Sequence, residues 1–165
     1  LNHALLAVIS NSMFDTDATG FGIIMGGYSA GALLGSLWIS YFSEMRRPAR
    51  LMVFGCIFWH VAIFSIAFST YFYVSVSIVL LSGIFQSFSM VIMAMLILKY
   101  TSEDMRSRVL GVRQLAVYGL PLGLVISGFV SENFHVVAAL IGNAVVGLIL
   151  LAFVLITWPR PLLHN

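Results

Sequence analysis

Charged residues divide this chain into long apolar runs. Ala18 to Ser43 carries no charged side chain over 26 residues, and Leu51 to Leu98 carries none over 48. Gln114 to Ser131 and Asn133 to Pro159 are two further runs of the same kind. Apolar segments this long are helices, because lipid offers the backbone no hydrogen-bond partner. As one helix the 48-residue run would extend roughly 72 Å, against a hydrocarbon core of about 30 Å, so it turns back once. The turn falls at Ser69-Thr70-Tyr71-Phe72-Tyr73, where polar residues and interfacial aromatics coincide. The pattern predicts five complete spans, near 20–42, 51–69, 73–98, 110–131 and 135–157. Leu1 to Phe14 is too short to cross alone and reads as the end of a truncated span.

Composition agrees. Hydrophobic residues make up 61% of the 165 and charged residues 8%, where a soluble domain carries about 45–50% and 25%. The expected fold is therefore all-α, a polytopic helix bundle in a lipid bilayer. The chain begins at Leu1, inside an apolar run and without a charged leader, which reads as a fragment of a longer protein. The one cysteine, Cys56, has no intrachain partner for a disulfide.

Charge placement orients the bundle. Arg46, Arg47 and Arg50 follow the first full span, Lys99, Arg106, Arg108 and Arg113 surround the connection after the third, and Arg160 follows the fifth. With five spans all eight cations fall on one side, and Asp15, Asp17 and Glu132 on the other. The positive-inside rule places the Arg-rich loops and the C-terminus in the cytoplasm of a cell (inner) membrane.

The stretch G-Y-S-A-G, Gly27 to Gly31, has the form of a hydrolase nucleophile elbow around Ser29. An elbow needs a preceding strand, whereas this one lies within a membrane helix. As a helix it places Gly27, Gly31 and Gly35 on one face, a small-residue stripe that admits another backbone closely. The span from 110 repeats the device with Ala116, Gly119, Gly123 and Ser127. These glycines are read as packing positions, and no catalytic residue is expected.

Three stretches resemble the C-terminal half, helices seven to twelve, of major facilitator superfamily transporters. They are most similar to the multidrug and siderophore (enterobactin-exporter-like) exporters. GFGIIMGGYSAGALLGSL resembles the glycine-rich eighth helix, and FSEMRRPARLM stands in place of the short basic loop after it. TSEDMRSRVLGVRQLAVYGLPLGLVISGFVSENF is similar to a T-P-E-x-x-R-G-R-V loop followed by G-x-P-L-G-x-x-x-x-G. The matching positions are Thr101, Glu103, Arg106, Arg108, Val109, Gly119, Pro121, Leu122, Gly123 and Gly128. Ser102 and Ser107 depart from the proline and glycine usual there, and Ser40, Glu44 and Met45 replace the Gly, Asp and Arg of the eight-to-nine loop motif.

The resemblance implies a secondary active transporter that exports a small amphipathic molecule by alternating access, completed by an N-terminal half that this chain lacks. The alternative is a non-transporting scaffold or degenerate relative. It further implies that both small-residue stripes face that N-terminal half, and that Glu44 is a cytoplasmic gate element with Arg106 and Arg108 as local partners. Helical spacing in the third span puts Ser75, Ser82, Gln86, Ser89 and Met93 on one face, and Gln114 and Tyr118 lie one turn apart in the next. Lipid cannot satisfy an amide, so such a stripe faces protein or a water-filled cavity. Ser82, Gln86, Ser89, Met93, Gln114 and Tyr118 are the expected cavity residues.

Other chemistry is not indicated. All six carboxylates lie in loops or at span ends, so no acid is placed for proton coupling at bilayer depth. His3, His60, His135 and His164 have no metal-ligand spacing, and no phosphate-binding glycine loop is present. No cofactor, metal or nucleic-acid partner is expected. His60, beside Trp59, reads as a structural histidine.

Overall fold

The computed structural model describes residues 18–41, 47–117 and 120–157. Six α-helices occur among these residues: α1 (Ala18–Tyr41), α2 (Pro48–Ile66), α3 (Phe72–Tyr100), α4 (Arg106–Val117), α5 (Leu120–Phe134) and α6 (Val136–Thr157). A short 3-10 turn, Glu103–Met105, joins α3 to α4. The fold is an all-α membrane bundle, and α1, α2, α3 and α6 are long and apolar enough to cross a bilayer.

Local chemistry sets the boundaries. Pro48 opens α2 at the position where a missing N–H costs nothing. The 48-residue run breaks after Ile66 and resumes at Phe72, overlapping the turn expected at 69–73. There Phe68, Tyr71 and Tyr73 are exposed, while the buried Ser69 accepts a 2.7 Å hydrogen bond from Ser75. Within the span expected at 110–131, α4 and α5 lie on either side of residues 118 and 119, which are outside the described residues.

α3 is the hub, with α1 and α2 packed along it, α6 against α2, and α5 against α6. Between helices in lipid there is little hydrophobic gain, so cohesion comes from close packing and hydrogen bonds. The glycines provide the closeness. A Cβ on Gly31 would collide with the Leu80 carbonyl, one on Gly35 would lie 2.7 Å from the Ile84 oxygen, and Gly27 stands over Val76. The offset is constant at four-residue steps, so α1 and α3 run parallel. The Gly27–Gly31–Gly35 face was expected to await another half of the protein; it is already covered by α3, which reaches it because Gly83 has no side chain of its own to hold the Tyr28 carbonyl away. On the opposite flank Gly55 admits α3 to α2, where a Cβ would meet the Phe85 oxygen at 2.8 Å.

Two apolar cores result. Ile24, Tyr28, Ile63, Val79, Leu140 and Ala144 join α1, α2, α3 and α6 in one. Ile39, Phe88 and Ile92 form the other, towards the α3 C-terminus. Large apolar side chains also point outward, including Leu33, Leu37 and Trp38 on α1 and Ile149, Leu150 and Phe153 on α6. This is the arrangement of a bundle whose solvent is lipid.

Candidate functional site

The middle of α3 carries the polar groups, and tertiary packing decides what each one does. Ser82 is buried and donates to the Val79 carbonyl of its own helix at 2.7 Å. Ser89 is buried and donates across to the Met52 carbonyl of α2 at 3.1 Å. Ser87, which helical spacing did not single out, donates across to the Ala32 carbonyl of α1 at 2.8 Å. These hydroxyls tie helices together. Gln86 is different: it is half-buried, and its side-chain oxygen accepts a hydrogen bond from the Tyr28 hydroxyl of α1. Met93 is also half-buried, two turns further along α3.

Tyr28 was missed because it sits inside the G-Y-S-A-G stretch, where the glycines drew the reading towards packing. The available signal was a phenol ten residues into an uncharged helix segment rich in glycine, a group needing a partner that lipid cannot supply. Ser29, its neighbour, is exposed on the other side of α1.

The rest of the expected constellation is dispersed. Gln114 is exposed on α4, and Tyr118, Gly119 and Glu44 lie outside the described residues, as does the segment from Leu1 to Phe14. Gly123 is half-buried on α5. Arg106 is held locally: its guanidinium is 3.6 Å from Glu103, three residues back, and its Nε donates to the Thr101 carbonyl at 3.3 Å. Arg108 is exposed. Exposed pairs of this kind contribute about 0–1 kcal/mol. A further cation, Arg113, has its Nε buried with no hydrogen-bond partner; it falls inside the 110–131 span but had been read only as an orientation signal.

Two smaller polar contacts complete the bundle. His60 Nδ1 lies 2.8 Å from the Cys56 carbonyl one turn earlier, and the ring rests against Gly147 of α6, where any Cβ would strike it. Asn143 of α6 donates to Ser127 of α5 at 3.2 Å. Among the described residues no group of three or more His, Cys, Asp or Glu side chains is assembled to hold a metal.

Uncharged helices closed on glycine, joined by buried hydroxyls and one Tyr–Gln pair, with cations at the helix ends, define a polytopic membrane protein. The chain belongs to the Major Facilitator Superfamily, whose model matches residues 2–165. It is a membrane transporter by that membership. No curated protein and no solved structure matches it significantly.

Proposed function

We propose that this chain is the C-terminal six-helix half of a secondary active exporter, of the multidrug and siderophore type, carrying a small amphipathic molecule by alternating access. An N-terminal half would complete the cavity. In this reading the protein lies in the cell (inner) membrane with its Arg-rich loops and C-terminus in the cytoplasm, since cations concentrated at one set of helix ends follow the positive-inside rule. Glu44, with Arg106 and Arg108, forms part of the cytoplasmic gate, and Ser82, Gln86, Ser89, Met93, Gln114 and Tyr118 border the substrate path.

One observation carries the cavity assignment: the half-buried Gln86 amide near the middle of α3, paired with the buried Tyr28 of α1. An amide at that depth has more hydrogen-bonding capacity than one phenol uses, for it offers two N–H donors and a second lone pair. A polar solute group is the natural partner for the remainder. Met93, flexible and polarisable, suits the apolar part of such a ligand. The experiment is Gln86→Leu in the complete protein. Altered substrate preference or transport affinity, with normal insertion and folding, is the expected result. Lower thermal stability with an unchanged substrate profile would instead make Gln86 a helix-to-helix contact only.

A further inference from the structure

On α4 two large apolar residues face outward while two of its three cations are partly covered. Val112 and Leu115 are 67% and 68% exposed, whereas Arg106, Val109, Leu110 and Arg113 are half-buried. Arg106 and Arg113 are seven residues apart and share this inner face, yet their states differ. Arg106 has the Glu103 carboxylate and the Thr101 carbonyl. Arg113 has neither: its Nε is buried with no acceptor, and no described residue answers its other N–H groups. The charged groups nearest α4 on adjoining elements are Lys99 at the end of α3 and Glu103 and Asp104 in the 3-10 turn; all three are exposed, and Glu103 is engaged by Arg106.

Position makes this unusual. Seven residues into α4, Arg113 stands about 10 Å along the helix axis from Arg106. A snorkelling arginine buries its methylenes and keeps its charged head in water. Here part of the head itself, Nε, is the buried atom, and it is the Nη end that stays accessible. A guanidinium desolvated on one side and unpaired on the other is costly to keep unless something anionic completes it.

We propose that Arg113 recognises an oxyanion (a carboxylate, sulfonate or phosphate) on the transported solute, gripped through the two Nη groups. This inference rests on the transporter reading above and adds a substrate class: amphipathic anions. The planar fork suits two parallel hydrogen bonds to such a group, a geometry that a lysine cannot match. A permanent internal carboxylate at this place would compete with the solute, and none of the described residues supplies one.

The test uses the complete native protein in phosphatidylcholine nanodiscs with three radiolabelled probes of one shape: 1-naphthoate, 1-naphthylmethanol and 1-naphthylmethylammonium. Wild type should bind naphthoate about tenfold or more tighter than the other two. Arg113→Gln should remove that preference and leave alcohol binding and helicity intact. Arg113→Lys should retain part of it, and carries the test alone if the Gln variant fails to fold. Absence of a naphthoate preference in wild type, or its full survival in these variants, overturns the proposal. So does a wild-type preference that disappears when about one-fifth of the lipid is phosphatidylglycerol, since the guanidinium would then belong to a lipid headgroup. Flux of the same probes in proteoliposomes separates the two readings. Naphthoate bound through Arg113 but not moved removes the transporter reading; naphthoate moved regardless of Arg113 removes this assignment alone.

Discussion

At the residue scale, α1 contains two kinds of glycine that composition cannot tell apart. Gly31 and Gly35 lie against the α3 backbone, whereas a Cβ on Gly22 or Gly26 would meet nothing within 4 Å. Gly31→Ala should therefore force α1 and α3 apart and lower stability by roughly 1–3 kcal/mol, the usual cost of overpacking. Gly26→Ala, in the same helix, should be neutral or add about 0.5–1 kcal/mol through helix propensity. Thermal unfolding of the two variants in one detergent checks the contrast; equal losses would show that the α1–α3 contact is not the close one described. The four-residue spacing made Gly27, Gly31 and Gly35 readable as a stripe. It gave no hint that Gly83 of α3 meets α1 or that Gly55 of α2 meets α3, because they sit on different helices and no period links them.

At the element scale, the hydrophobic pattern located the long helices to within a few residues, since each is bounded by charge, proline or interfacial aromatics. The α5–α6 connection is a special point. His135 takes a positive φ of 72° and links Phe134 to Val136 directly. The left-handed region costs an L-residue about 1–2 kcal/mol and is worst for β-branched side chains. His135→Val should lower stability by about 1 kcal/mol, while His135→Gly should hold or raise it. Unfolding midpoints of the two variants measured side by side decide the matter, and a Val variant as stable as the Gly variant would contradict the backbone assignment.

At the scale of the whole molecule, helices in lipid are held by shape and by polar contacts, and the sequence gathers its cations in the segments assigned to one side of the membrane. Single cysteines introduced at Thr70, Ser102 and His135 in a Cys56→Ser background test the resulting orientation with a membrane-impermeant thiol reagent on intact cells. Positions 70 and 135 are expected to label from outside and position 102 only after permeabilisation. Labelling of 102 in intact cells would reverse the orientation. The proposed cavity has a consequence at this scale too: residues 1–165 expressed alone should insert without moving solute, because one wall of a shared cavity encloses nothing.

Sequence alone determined that this chain is a membrane helix bundle, where most of its helices lie and to which family it is similar. Those properties follow from local composition, from charge placement and from motifs contiguous in the chain, and each is decided within a few turns of helix. Which polar groups are already satisfied was decided only by tertiary structure. Ser82, Gln86 and Ser89 look equivalent at helical spacing, yet the first bonds its own helix, the second meets Tyr28 and the third is fastened to α2. Arg106 and Arg113 look equivalent as cations, and only one has a partner. The reason is physical: in an apolar medium a hydrogen bond or ion pair forms wherever packing brings donor to acceptor, and the distances between helices are set by glycines far apart in sequence.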